Sequence, residues 1–182
     1  MTINDPIYGK FKITEPVLIE LIEAPSMQRL KKISQLGLPD RYYHRKGFSR
    51  FDHSIGVLLA LRQLKADLEE QVAGLLHDVS HTAFSHLVDW VIGDPTKEDF
   101  QDKNHLSYLK KSEIPKILSE AGFDVKQIAD HHRFKLLERD APEMCADRLD
   151  YALREFPIEI SVDLAKNIRS VNDTIIFNTF HS

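Results

Sequence analysis

The chain has 182 residues, enough for one domain with its own hydrophobic core, and 42% hydrophobic with 29% charged residues excludes disorder and low complexity. With 24 Lys and Arg against 28 Asp and Glu, the net charge of −4 argues against nucleic acid or an anionic membrane as a partner of the whole surface. One cysteine, Cys145, allows no internal disulfide and points to a reducing, cytoplasmic setting, while nine histidines raise the question of metal or proton chemistry.

No signal peptide is read in the first 16 residues, and no apolar run approaches the roughly 20 residues of a membrane span. The predicted elements are nearly all helical. Thr14-Glu15-Pro16 opens a short helix that Pro25 stops. Ser26 caps a second, through Leu30 and Ile33, ended by Gly37. A third runs from about Asp52 to Lys65, with Ile55, Leu58, Leu59 and Arg62 at helical spacing. Asp67 and Glu70 have capping-box spacing and start a helix that turns Val72, Leu75, Leu76 and Val79 inward. Further helices are expected at 83–92, closed by Gly93, and at about 97–110, 113–121 and 125–133. Asp140-Ala-Pro-Glu143 reads as a second capping box, opening a helix through Ala152 and Phe156. Only the tail, Thr174 to Phe180 behind Asn172-Asp173, reads as strand or hairpin, and it stops without an end signal, as a shortened chain would. With no repeat or linker in view, 1–182 is expected to be a single domain.

The histidines cluster in motifs. His53 lies in Arg50-Phe-Asp-His-Ser-Ile-Gly56, His77 and Asp78 are adjacent at a helix end, and Asp147 sits in Cys145-Ala-Asp-Arg-Leu-Asp-Tyr151. Two imidazoles and two carboxylates from three helices suit one divalent ion such as Mn, Mg, Fe, Co, Ni or Zn. Adjacent ligands at a helix end can share an ion only if one leaves the helical register. Apolar Ala73, Leu75, Leu76 and Val79 set His77 and Asp78 against the core, where a carboxylate needs a partner.

The order His53, His77-Asp78, Asp147 resembles the HD-domain metal-dependent phosphohydrolases. The strings Arg50 to Gly56, His77-Asp-Val-Ser-His-Thr-Ala-Phe-Ser-His86 and Asp147-Arg-Leu-Asp-Tyr151, with Gln35-Leu-Gly37 upstream, resemble the branch holding the dNTP triphosphohydrolases of the SAM-and-HD-domain type. The resemblance covers about residues 25–156, the expected domain core. It implies an all-α HD-domain helical bundle, with the short β-hairpin expected from the tail added at its C-terminus. It also implies hydrolysis of a phosphate ester or anhydride in a nucleotide-like small molecule, with His53, His77, Asp78 and Asp147 as metal ligands.

Carried over residue by residue, the resemblance makes His81, His86 and Asp89 hydrolytic groups, with Asp89 three residues after His86 and able to bond it. His105 matches a histidine proposed to protonate the leaving group, although Leu106 stands where the family has Glu. Tyr151 and Glu155, on one face of the Asp147 helix, match sugar contacts, and Gln35 a residue near sugar and base. Arg50 matches a phosphate-contacting arginine; Arg41, Arg45 and Lys46 add positive charge nearby.

His131-His132 raises a rival, because two-metal HD phosphodiesterases and oxygenases add such histidines; His105 with His131 or His132 would then hold a second ion. His44 and His181 read as surface residues. A non-catalytic nucleotide-binding HD module is the third reading, since the triphosphohydrolases are longer. Family members often self-associate, which implies a homo-oligomer.

Overall fold

The computed structural model describes residues 1–37, 40–42, 47–85, 87–92 and 100–178, and at 40, 89 and 102 the backbone alone. His44, Arg45, Lys46, His86, Gly93, His181 and the side chain of Asp89 therefore lie outside the described residues.

The chain begins with an antiparallel hairpin, β1 (Thr2–Asp5) and β2 (Gly9–Lys12), in which Ile3 pairs with Phe11. This departs from the expectation that strand would be confined to the tail. Four-residue strands carry too little alternation to be read reliably, and the signal lies in the turn instead. Asp5 Oδ1 accepts from the amides of Ile7 (2.8 Å) and Tyr8 (3.1 Å), and Gly9 sits at φ +83°.

Helix α1 (Pro16–Glu23) starts on proline and buries Val17, Leu18, Leu21 and Ile22, as its spacing implies. In α2 (Pro25–Arg29) Pro25 takes the first position after Ala24. Ser26 therefore lies inside the first turn and is not the cap; its amide (2.8 Å) and hydroxyl (3.0 Å) both donate to the Glu113 carboxylate. Gly37, left-handed at φ +67°, closes a turn onto Ser34 beyond the helix rather than ending it.

Helix α3 (Arg50–Gln63) starts two residues before the expected Asp52. Ser49 and Asp52 form a capping box, the Ser49 side chain accepting from the Asp52 amide and the Asp52 carboxylate from the Ser49 amide. Every residue from His53 to Leu61 is buried, so α3 is the central helix of the fold. Helix α4 (Leu68–Leu76) is capped by Asp67, whose Oδ1 accepts from the Glu70 amide (2.8 Å). The Glu70 carboxylate does not return to the cap; it accepts the amides of Leu136 (2.7 Å) and Leu137 (3.0 Å).

Four helices follow: α5 (Leu87–Ile92), α6 (Phe100–Lys111), α7 (Ile114–Glu120) and α8 (Val125–Ile128). The segment expected to stay helical to residue 133 breaks at Ile128 and resumes as a single turn over His131–Arg133. Helix α9 (Ala146–Glu155) starts later than the Asp140 box predicts. Residues 140–143 make a turn instead, because Arg148 reaches back to the Glu138 carboxylate (2.9 Å) and to the carbonyls of Arg139 and Glu143. Helix α10 (Ile158–Lys166) leads into the expected C-terminal hairpin, β3 (Ile168–Val171) and β4 (Thr174–Phe177). Asn172 and Asp173, at φ +48° and +58°, form its two-residue turn. The architecture is thus mostly helical, and no described helix is long and apolar enough to cross a membrane.

Helices α4 and α9 both pack on α3, α10 lies on α9, and α6, α7 and α8 pack together beside α4. The α3–α9 contact is close at Gly56, where a Cβ would fall on the Asp150 carboxylate and the Arg154 guanidinium. Gly56→Ala is expected to destabilise the protein by about 1–3 kcal/mol, the usual cost of overpacking. Urea unfolding of the two proteins checks it; equal midpoints would show that α9 can move away freely.

Candidate metal centre

His53 enters the core one turn into α3, because the Ser49 cap sets the helix start at Arg50. His77 follows the last residue of α4, and residues 77–80 leave the helix as a turn. The helix thus ends at the His77-Asp78 pair, where the sequence called for one of the two to leave the helical register. Asp147 lies in the first turn of α9, brought onto α3 by the buried residues Leu149 and Leu153.

These three elements place His53 Nε2, His77 Nε2 and an Asp147 oxygen within 4.8 Å of one another, a group able to hold a metal ion. His53 Nε2 lies 2.9 Å from Asp147 Oδ1 and 3.2 Å from His77 Nε2, and His77 Nε2 is 3.6 Å from Asp147 Oδ1. Bonds of about 2.1 Å to a common ion would set neighbouring ligands roughly 3.0 Å apart in an octahedron and 3.4 Å in a tetrahedron, so the spacing fits. The other ring nitrogens are engaged. His77 Nδ1 faces the Gly74 carbonyl at 2.7 Å and His53 Nδ1 faces Asp150 Oδ2 at 2.8 Å, which leaves each Nε2 for an ion. Asp147 is the open side, its side chain 31% exposed against 1% for His53.

Asp78 borders the group, 3.6 Å from His77 Nε2 and 3.9 Å from His53 Nε2. Its oxygens also meet Arg50 Nη1 (2.6 Å) and His81 Nε2 (3.0 Å). Arg50 is 1% exposed, and its Nε and Nη2 donate to Ser85 Oγ (2.9 Å) and the Gln35 carbonyl (3.4 Å). Its guanidinium is thus the buried counter-charge of Asp78. The Gln35 side-chain Oε1 is buried without a hydrogen bond.

His105, on α6, is buried with Nδ1 2.8 Å from Ser80 Oγ, and Ser80 Oγ accepts from Gln101 Nε2 at 2.8 Å. Of the predicted pair, only His131 turns inward. Its ring lies 4.7 Å from His105 and 6.5 Å from His77, while His132 is exposed. The Nε2 atoms of His105 and His131 are buried without a hydrogen bond. Tyr151 stands at the rim, 41% exposed, its ring 6.4 Å from Phe48, which in turn is 6.5 Å from His53. Tyr151 and Glu155 are electrostatically coupled: partial burial and the Glu155 charge both raise the phenol's pKa. Arg41 is exposed and stacks on Tyr42.

Charge couplings are strong here. Burial alone would lower the pKa of His53, but hydrogen bonds to Asp147 and Asp150 outweigh it and push it up to about 10. Burial would raise both Asp78 and Asp147; the charges of Arg50, His77 and His81 hold the first far below the carboxylate range, and bonds from His53 and His77 do so for the second. His77 is raised despite burial, by Asp78 and Asp147. Burial and the neighbouring imidazoles push His105 down to about 2 and His131 to about 4, so both are neutral.

Two parts of the site escaped the sequence reading. Asp150 and Arg154 follow Asp147 at helical spacing, a signal present in the motif but not used, whereas Ser80, Ser85 and Gln101 carry no local signal.

A protein-family model described as "HD domain" matches residues 50–155. "Metal-dependent phosphohydrolase cns2" of Cordyceps militaris is 39% identical over 153 residues, covering 84% of this chain and 44% of that protein. "Deoxynucleoside triphosphate triphosphohydrolase SAMHD1" of Xenopus laevis is 41% identical over 103 residues, 47% of this chain and 16% of that one. A crystal structure of a phosphohydrolase from Bacteroides thetaiotaomicron superposes with a TM-score of 0.66 at 25% identity, covering 97% of this chain and 48% of that one. The chain spans less than half the length of the curated relatives it matches over most of its own residues.

For the metal-free protein the linkage has a definite sign. A folded pKa of about 10 against an ordinary 6.5 means that His53 contributes stability fully below pH 6.5 and loses it as pH rises towards 10. The urea midpoint of chelator-treated protein is therefore expected to fall across that window, and less so after His53→Gln. A flat profile in both proteins would contradict the coupling.

Proposed function

The chain belongs to the HD-domain family, and from that premise we propose that it is a metal-dependent phosphohydrolase cleaving a phosphate ester or anhydride of a nucleotide-like small molecule. The observation that carries the reading is the convergence of His53, His77 and Asp147 within 4.8 Å, with Asp78 at its border. A divalent ion held there (Mn, Mg, Fe, Co, Ni or Zn) would polarise a phosphoryl oxygen and lower the pKa of a bound water.

Other residues of the motifs are assigned the remaining tasks. Asp78 orients His81 at 3.0 Å, and His81 with His86 and Asp89 would manage the attacking water's proton. Arg50 offers phosphate the nitrogen whose present contact, to the Gln35 carbonyl at 3.4 Å, is its longest. Gln101 donates to Ser80, and a Ser80 hydroxyl that donates in turn to His105 Nδ1 would put the imidazole proton on Nε2. A neutral imidazole with Nε2–H is suited to donate a hydrogen bond to the leaving oxygen. Tyr151 at the rim, with Glu155 and Gln35, would contact sugar and base. The likeness to the deoxynucleoside triphosphate triphosphohydrolase SAMHD1 supports a nucleotide or dNTP as substrate; a single domain over 1–182 and a cytoplasmic setting are proposed from length and composition alone. Exposed Phe84, Trp90 and Val91 support self-association.

A second reading places another ion between His105 and His131, favoured by their rings lying 4.7 Å apart with both Nε2 atoms unpartnered. Among the described residues, however, the ligand group is formed by His53, His77 and Asp147 and does not include His105 or His131, so one ion per chain is the reading preferred.

The test is purified protein with each metal against dNTPs, nucleoside monophosphates and dinucleoside polyphosphates, scoring phosphate, pyrophosphate and triphosphate release. Activity is expected with at least one class, removed by chelator and reduced at least about a thousandfold in the His77→Ala, Asp78→Ala double variant, matching the several kcal/mol a bound ion supplies. Activity indifferent to chelator and to that variant would overturn the proposal. Nucleotide binding without turnover under any metal would favour the non-catalytic module. Two ions per chain, falling to one in a His105→Ala, His131→Ala protein, would favour the second reading.

A further inference from the structure

The N-terminal hairpin and the metal centre are joined through buried charges. Asp150 has no exposed surface; its Oδ2 meets both His53 Nδ1 and Arg154 Nε at 2.8 Å. Arg154 Nη2 extends the line to Asp5 Oδ2 (2.9 Å) and to the carbonyl of Asp52 (2.8 Å), while its guanidinium covers the Phe48 ring at 5.6 Å. Asp5 is itself fixed, because its other oxygen takes the amides of Ile7 and Tyr8 in the hairpin turn. The side chains of Arg154 and Asp5 are 6% and 5% exposed, so the whole line is shielded from water.

We propose that Asp150 is a positioning residue for His53, and that Arg154 and Asp5 hold it so, making the hairpin turn a remote part of the metal centre. This rests on the reading of His53 as a metal ligand. Asp147 cannot do the same work, because it meets the Nε2 edge, where the ion would sit. Only the Nδ1 partner can fix the ring and its tautomer while Nε2 coordinates. The order of charge explains the length of the line. Asp150 is shared between His53 and Arg154, and a lone Arg154 would draw the carboxylate away from the imidazole. Asp5 on the far side of the guanidinium balances that pull and returns Asp150 to His53. Gly56 keeps the place open, since any side chain there would fall on Asp150.

The full chain is stripped of metal and titrated with Co²⁺, reading affinity by equilibrium dialysis and coordination by visible absorption, beside thermal melting of the metal-free proteins. The set is wild type, Asp150→Asn, Arg154→Lys, Asp5→Asn and, on the same hairpin, Lys10→Ala. Asp150→Asn is expected to weaken Co²⁺ binding by about 10- to 100-fold and Asp5→Asn by about tenfold, each with an altered absorption band, while Lys10→Ala matches wild type. If Asp150→Asn does not fold, Asp5→Asn and Arg154→Lys decide, because they keep the shape of the turn and a cation on α9. Variants that melt earlier yet bind Co²⁺ within about twofold of wild type, with the same band, would reduce the line to a structural brace and overturn the proposal. Wild-type protein that binds no divalent ion would overturn the metal centre and this inference together.

Discussion

The arrangement of this protein turns on one imidazole, His53, buried in a helix that is buried all round. An ionisable ring in such a place is tolerated only with partners on both nitrogens, and α9 supplies them as Asp147 and Asp150. The close approach of α3 to α9 follows, as does the need for glycine at position 56 and for Arg154 to balance the second carboxylate. Packing and chemistry share the same few contacts, so the helix pair at the centre of the core also carries two of the three residues grouped to hold an ion.

A second constraint comes from Asp78. A carboxylate at the edge of two imidazoles is stable there because Arg50, from the first turn of α3, reaches it at 2.6 Å with its own charge out of water. Arg50 in turn ties down Ser85 and the turn at Gln35. Asp78, Arg50 and Ser85 thus satisfy one another's polar atoms beside the cluster. Gln35 Oε1, Asp150 Oδ1 and the Nε2 atoms of His105 and His131 are buried nearby without a hydrogen bond.

Much of this was legible in the sequence. His53, His77, Asp78 and Asp147 are motif residues; the fold brings His53, His77 and Asp147 together, with Asp78 at the border. Asp67 as a cap, the helix opening at Pro16 and the Asn172-Asp173 turn are local effects, each decided within a few residues. The errors are also local in form but had distant causes. Ser26 looked like a cap because Ser favours that position, yet Glu113, 87 residues away, claims it. Asp140 and Glu143 have capping-box spacing, but Arg148 takes up the carbonyls around them. The inward turn of His131 and the outward turn of His132 depend on where α8 stops, which no neighbouring residue announces.

The sequence by itself determined the ligand types, their order, the helical character and the family, because these depend on side-chain chemistry and short-range spacing. Only the tertiary structure decided that Asp150, Arg154 and Asp5 stand behind His53. Asp5 and Arg154 are 149 residues apart, and no periodicity connects them; they meet because burial of α3 leaves charges that only each other can satisfy.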